Sequence, residues 1–292
     1  TSDVEIRGSD SILQTRSRSP TGVSGSIRLQ GVEVSVEGQL ISEPYTDAHP
    51  IAGGKVWIRA YHGFSLAPSG SISVRGSGIG AGGSVRINVM SRGDSDEASS
   101  GVNLAGVISA ESRGNGPGGA LSISSGHGVQ IESIINLTGS SVSQGGQAEV
   151  IALKDIELGS SGNIFTGEGH SGRIYMQNRV ERSIIRLSGG LTTSDTGATW
   201  TDDWEEDSSI IVDGCDLSFH SPTVHSNNGA TTFISRSNSF EWDTSGDDSD
   251  FYAPLGAYFL YPEALTLLWS PSDSWFSGET MGHVRADSCL QT

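Results

Sequence analysis

The residues best equipped for chemistry lie late in the chain. Asp202, Asp203, Glu205, Glu206 and Asp207 form one acidic cluster, and Asp247, Asp248 and Asp250 form a second. Carboxylates, with backbone carbonyls, are the usual Ca²⁺ ligands of secreted proteins, so both clusters are candidate calcium sites. Neither fits an EF-hand loop, and the Gly-Gly-x-Gly-x-Asp repeat of calcium β-rolls is absent. Acidic runs are more often solvated surface, and apart from Ca²⁺ no cofactor is expected. Trp200 and Trp204 sit beside the first cluster. Two carboxylates flanking a sugar stacked on an aromatic ring suit glycoside cleavage, one as acid and one as base or nucleophile. This supports an alternative reading, carbohydrate binding or polysaccharide cleavage. No convergent set of groups elsewhere supports catalysis, and the chain is expected not to be an enzyme.

The other candidates are isolated. His49, His62, His127, His170, His220, His225 and His283 are scattered, and the five-residue step from His220 to His225 is no ligand spacing on a strand. No Gly-x-Ser-x-Gly elbow or phosphate loop occurs. Arg92-Gly93-Asp94 is a possible adhesion loop within the stretch Ser91–Gly101, although a three-residue match arises easily by chance. Asn136-Leu-Thr138 is an N-glycosylation sequon. Cys215 and Cys289 are the only cysteines. An even count outside a reducing compartment favours a disulfide over two buried free thiols. It would close a loop of 74 residues. In the loop-entropy account, a loop of that size is worth ~4 kcal/mol. The final Cys289-Leu-Gln-Thr292 is a poor prenylation signal, because Gln stands where an aliphatic residue belongs.

Composition sets the frame for these residues. The chain has 292 residues, 40 Gly, 49 Ser and a net charge of −17. The Gly and Ser content resembles a linker, but 35% hydrophobic residues and six Trp argue for a packed core. The acidic balance and the lack of a basic run argue against nucleic acid and an anionic membrane surface. No run of apolar residues is long enough for a helical membrane span. The averages also hide a break near residue 190. Residues 1–190 hold 17 acids and 15 bases, a net of −2, whereas residues 191–292 hold 17 acids against Arg236 and Arg285, a net of −15. Glycine falls from 33 to seven across the break, while five of six Trp and six of eight Phe lie beyond it. Two regions are therefore expected, 1–190 and 191–292.

The first region repeats. Gly-x-apolar-x-apolar recurs as Gly25-Ser-Ile-Arg-Leu29, Gly54-Lys-Val-Trp-Ile58, Gly83-Ser-Val-Arg-Ile87, Gly119-Ala-Leu-Ser-Ile123, Gly146-Gln-Ala-Glu-Val150 and Gly172-Arg-Ile-Tyr-Met176. The steps between glycines are 29, 29, 36, 27 and 26 residues. Each unit carries a second alternating run, such as Val129-Gln-Ile131 or Ile156-Glu-Leu158, and a third, such as Ile108-Ser-Ala110 or Ile164-Phe-Thr166. Alternation of period two means strand. Three short strands per unit joined by tight turns predict one coil of a solenoid, with equivalent strands pairing in parallel. An antiparallel sandwich is the competing architecture, but sandwiches do not repeat a glycine-led strand six times. The long third unit must bulge at Ser91–Gly101. Val4-Glu-Ile6 and Ile12-Leu13 match the second and third strands of a preceding coil, so the chain is expected to belong to a longer protein or to be capped by another subunit.

After Gly172 the repeat fades. Gly197-Ala-Thr-Trp-Thr201 and Gly229-Ala-Thr-Thr-Phe-Ile234 are candidate degenerate coil starts, and Ile210-Ile-Val212 and Leu217-Ser-Phe219 read as strands. The region could continue the solenoid or form an acidic, aromatic-rich cap over its end, and the cap is favoured. Pro254 to Trp269 is the most apolar stretch, expected as a short helix or extended segment packed at that end or against another subunit.

Ala52-Gly-Gly-Lys-Val-Trp-Ile-Arg-Ala60 and Gly70-Ser-Ile-Ser-Val-Arg-Gly-Ser-Gly-Ile-Gly-Ala-Gly-Gly-Ser-Val-Arg-Ile87 resemble the coils of secreted right-handed parallel β-helix proteins. Filamentous-haemagglutinin-like adhesins are one such group. Glycine-rich β-helical surface or flagellar-hair proteins of protists and algae are another. The resemblance covers roughly residues 1–190. It implies a right-handed parallel β-helix and an extracellular or cell-surface structural or adhesive role within a larger filament. The implied partners are other subunits, the rest of a longer chain, or glycans. The resemblance brings no catalytic residues.

Overall fold

The computed structural model describes residues 3–17, 24–45, 49–90, 101–167, 172–194, 208–227, 230–236, 240–243, 250–260 and 276–284. Strands are the only regular elements among them, and their pairings are parallel, so the chain is an all-β parallel solenoid. Six regular turns run from Ser26 to Ser194. The first two are Ser26–Val36 with Gln39–Pro44, and Lys55–Leu66 with Ser71–Ser73. Both long strands bend at the register shift between Gly31 and Glu33 and so serve two sides of the tube. From the third turn the sides separate. That turn comprises Ser84–Val89, Gly101–Leu104 and Val107–Ser109, and the fourth Ala120–Ser125, Val129–Ile131 and Ile134–Asn136. The fifth is Gln147–Ala152, Ile156–Leu158 and Asn163–Phe165; the sixth is Arg173–Asn178, Ile184–Leu187 and Gly190–Ser194. Stacked turns make three ladders, here called first, second and third in chain order.

The glycine spacing sets the first ladder. Ser26, Lys55, Ser84, Ala120, Gln147 and Arg173 lie opposite one another, and each follows one of the six repeated glycines. Alternation then sorts the side chains. Leu29, Ile58, Ile87, Ile123, Val150 and Met176 form one inward row of the first ladder. Leu40, Ile72, Ile108, Ile135, Ile164 and Leu191 form the row of the third. These side chains are buried in one continuous core, and full burial of an Ile or Leu is worth ~1.5–3 kcal/mol. Where the third ladder turns into the first, the chains approach too closely for a side chain. A Cβ on Gly82 would fall 1.7 Å from the carbonyl oxygen of Ala110, and one on Gly53 would fall 1.9 Å from that of Val74. The amides of Gly53, Gly82 and Gly118 donate instead to Ala81, Pro117 and Gln144, at 2.8–2.9 Å.

The ladders extend beyond these turns on both sides. Val4–Ile6 pairs with Val34 to Val36, and Ile12–Ser17 with Gln39–Pro44, in the second and third ladders as the sequence predicts. Past residue 190 the expected start at Gly197 to Thr201 lies outside the described residues, and Ser208–Gly214 takes the place in the first ladder, with Ile210 opposite Ile174. Asp216–His220 and Thr223–Asn227 follow in the second and third ladders. Ala230–Ser235 starts the next turn directly after Gly229, as expected. Its neighbours are Phe240–Asp243 and Asp250–Leu260, the latter serving the third ladder with its first residues and the first ladder with its last. Phe276–Val284 pairs along Asp250–Leu260. Alternation is lost here because both faces are covered: Ile210, Ile211 and Val212 are all buried. A strand buried on both faces reads as a continuous apolar run. No helix among the described residues is long and apolar enough to cross a membrane.

Candidate functional site

A groove runs along the outside of the second ladder. The outward row Glu33, Gly63, Gly101 is set by the pairing of the first three turns. Gly128 extends it, since its carbonyl accepts the Val102 amide at 3.1 Å, and the Asp155 carbonyl accepts the Val129 amide at 2.9 Å. Three glycines in succession remove side chains that would otherwise fill the row. The result is a cleft of about 310 Å³. Its wall is the neighbouring outward row Ser35, Ser65, Asn103, Gln130, Glu157 and Arg186. Glu33 closes one end and the Asp155–Arg186 pair the other.

The groove offers hydrogen bonds at regular intervals rather than an activated nucleophile. Ser65 Oγ donates to Ser35 Oγ at 3.1 Å, so these hydroxyls satisfy one another. Asp155 Oδ2 accepts from Arg186 Nη1 at 2.9 Å, and its Oδ1 accepts the Ile184 amide at 2.9 Å. With both oxygens engaged, Asp155 pins the following turn instead of standing ready as a base. The arrangement can hold an extended polar chain along the axis.

Two buried carboxylates organise the charge elsewhere. Glu43, only 5% exposed, accepts from Arg75 Nε at 2.8 Å and from Arg113 Nη2 at 3.1 Å, and also takes the Ser73 hydroxyl. A desolvated carboxylate requires such compensation, and two cations from successive turns supply it. Asp213, 2% exposed, accepts from Gln177 Nε2 and from Arg236 Nη2, both at 2.7 Å, and pairs with Arg236 Nε. Arg236 is one of only two bases after residue 190. Tyr175 stands beside this pair, and burial first, then the negative charge of Asp213, raises its pKa. All these groups hold turn to turn.

The residues singled out in sequence are placed as follows. Asp202, Asp203, Glu205, Glu206, Asp207, Asp247, Asp248, Cys289 and Arg92 to Asp94 lie outside the described residues. Asp250 opens the strand Asp250–Leu260, opposite Thr223. Among the described residues no three His, Cys, Asp or Glu side chains gather closely enough to hold a metal. Asn136 ends a third-ladder strand, half-buried on the outward row, and its Oδ1 accepts the Thr138 amide at 3.1 Å. Cys215 is fully buried just after the strand Ser208–Gly214, and its amide donates to Asn178 Oδ1 at 2.9 Å. His220 Nε2 lies 3.0 Å from Ser218 Oγ, while His127 is buried, so neither joins a cluster of ligands. Glu43, Asp155 and Asp213 went unnoticed in sequence. Each meets its cation 23 to 70 residues away, across turns of unequal length. Only Glu43 and Arg75 stand at equivalent positions of neighbouring turns, whereas Asp155 and Asp213 reach cations offset from their own register partners, so no shared sequence pattern marks all three.

No protein family, curated protein or solved structure matches the chain.

Proposed function

We propose that the chain is a non-enzymatic, rigid β-helical segment of an extracellular filament, surface appendage or adhesin. The supporting observation is the continuity of the ladders: each regular turn is hydrogen-bonded to the next on all three sides of the tube. Bending such a tube strains backbone hydrogen bonds on its stretched side, so the ladders confer stiffness without thickness. The coil is taken as right-handed, the hand that parallel strand crossovers adopt almost without exception. A Cys215–Cys289 bridge and a glycan on Asn136 belong to the same extracellular reading. Its partners are further copies or the remainder of a longer chain. Immunogold electron microscopy of the source cells tests the proposal. Label along an external appendage or surface layer is expected. Label confined to the cell interior overturns it. So does cleavage of a polysaccharide by the purified chain that is lost in Asp202→Asn, Asp203→Asn and Glu206→Gln.

A further inference from the structure

Four cations stand together on one sheet face with no acid among them. On the outer side of the first ladder, register places Arg28 opposite Trp57 and Trp57 opposite Arg86. The row before is Ser26, Lys55 and Ser84; the row after is Gln30, Arg59 and Asn88. These positions on three turns thus hold Arg28, Lys55, Arg59 and Arg86 and no carboxylate. The nearest acid in the central row is Glu149, two turns beyond Arg86 and bonded to Ser122 Oγ at 3.1 Å. Arg28, Lys55 and Arg86 are exposed and Arg59 is half-buried. Elsewhere Arg7, Arg75, Arg113, Arg186 and Arg236 are each paired with a carboxylate. The four cations of this face have no such partner among the described residues.

Aromatic rings hold two of these cations in place. The Arg28 guanidinium carbon lies 3.9 Å from the centroid of the Trp57 ring, and that of Arg59 lies 5.9 Å from that of Tyr61. Stacking fixes the plane of a guanidinium while leaving its charge and terminal donors available, and Arg59 Nε is held further by Met90 Sδ at 3.0 Å. Trp57 Nε1 is meanwhile a buried donor with no acceptor among the described residues.

We propose that this face binds a linear acidic polysaccharide, carboxylated or sulfated, lying along the solenoid axis over the first three turns. Equivalent positions on neighbouring turns are ~4.8 Å apart. Arg28 and Arg86 share the central row two turns apart, ~10 Å, with Lys55 and Arg59 flanking that row on the turn between. A cation on every turn suits a polymer whose anions repeat at sugar-length intervals, and planar guanidiniums match carboxylate and sulfate oxygens two at a time. A flat face gives a small anion no enclosure, whereas a chain gains from every row at once. Single-stranded nucleic acid needs open aromatic faces for its bases, and Arg28 occupies a face of Trp57. This assignment does not rest on the structural role proposed above, and either can fail alone.

The test measures binding of the full chain to polygalacturonate, heparin, neutral dextran and a single-stranded oligonucleotide over a salt series. Binding to at least one acidic polysaccharide and none to dextran is expected, and the preferred polymer identifies the anion. Arg28→Gln with Arg86→Gln should weaken binding at least tenfold and lower the slope of log affinity against log salt by about two, one for each cation removed. Arg28→Lys with Arg86→Lys, which retains the charge, should fall between, and Lys154→Gln, off this face, should change nothing. An unchanged thermal midpoint in each variant shows that the fold is intact. Failure to bind either acidic polysaccharide overturns the proposal, as does equal binding of the oligonucleotide. If Arg28→Gln with Arg86→Gln alters sedimentation of the free protein but not glycan binding, the occupant is a second copy and the proposal falls.

Discussion

Charge at individual residues was the least legible layer. Nothing in the local sequence of Glu43 distinguishes it from the exposed Glu33 or Glu37, yet it is buried under Arg75 and Arg113 from later turns. The unpaired cations were equally hidden, because Arg28, Lys55, Arg59 and Arg86 form no run and meet only through register. Acid and base partners depend on turn lengths, which range from 26 to 36 residues between the repeated glycines and fall to 21 from Ile210 to Thr231, so sequence distance says little about spatial distance. Tyr175 provides a test at this scale. Burial and the neighbouring Asp213 raise its pKa above the ordinary value near 10. The unfolded chain therefore releases this proton at lower pH than the folded one. Above pH ~10 the unfolded state binds fewer protons, and stability falls as pH rises through the folded pKa. Denaturant unfolding from pH 8 to 11 should show a decline that is shallower in Tyr175→Phe than in the parent. Identical alkaline slopes would mean that Asp213 and burial do not act on this phenol in solution.

At the scale of the strand, most of the architecture was readable. The glycine-led pattern located the starts of six consecutive first-ladder strands, because a glycine must precede each one where the chain leaves the crowded corner. It did not show that the first two run on through the second side to Val36 and Leu66. Past Gly172 the same reasoning weakened for a physical reason. Ser208–Gly214 needs no leading glycine, and its Ile210-Ile-Val212 is buried on both faces, so neither punctuation nor alternation marks it. The corner itself can be tested by adding a single methyl group. In Gly82→Ala the new Cβ would lie 1.7 Å from the Ala110 carbonyl oxygen, a backbone atom of the adjoining turn. Relieving that clash means separating two stacked turns, at a cost of about 2–3 kcal/mol. In Gly128→Ala the nearest atom is the Asp155 carbonyl oxygen at 3.0 Å. A small shift accommodates it, and the stiffer unfolded chain returns ~0.4–1 kcal/mol, so the net change should be within about 1 kcal/mol. Chemical denaturation of the two variants decides the matter, and similar losses in both would show that the corner is looser than its geometry requires.

Over the whole molecule, an evenly built tube carries unevenly distributed charge. Core rows run from turn to turn without interruption, while the net charge is −2 over residues 1–190 and −15 over residues 191–292. The two halves should therefore respond differently to salt. Like charges repel over ~30 Å at 0.01 M salt but only ~8–10 Å near 0.15 M, so added NaCl relieves the acidic half. The attractive pairs of Glu43 and Asp213 are desolvated and screened much less. Repulsion is thus the larger salt-sensitive contribution, and the thermal midpoint should rise by roughly 2–4 °C between 0.01 and 0.15 M NaCl, equivalent to about 1 kcal/mol in a chain of this size. Calorimetry in NaCl and then in CaCl₂ at matched ionic strength separates screening from binding. Equal midpoints leave Asp202 to Asp207 and Asp247 to Asp250 as solvated surface. A higher midpoint in CaCl₂, abolished by Asp203→Asn with Glu206→Gln, would assign a bound cation to the first cluster. A midpoint that fell with NaCl would overturn the repulsion argument, because the exposed charges would then be attracting on balance.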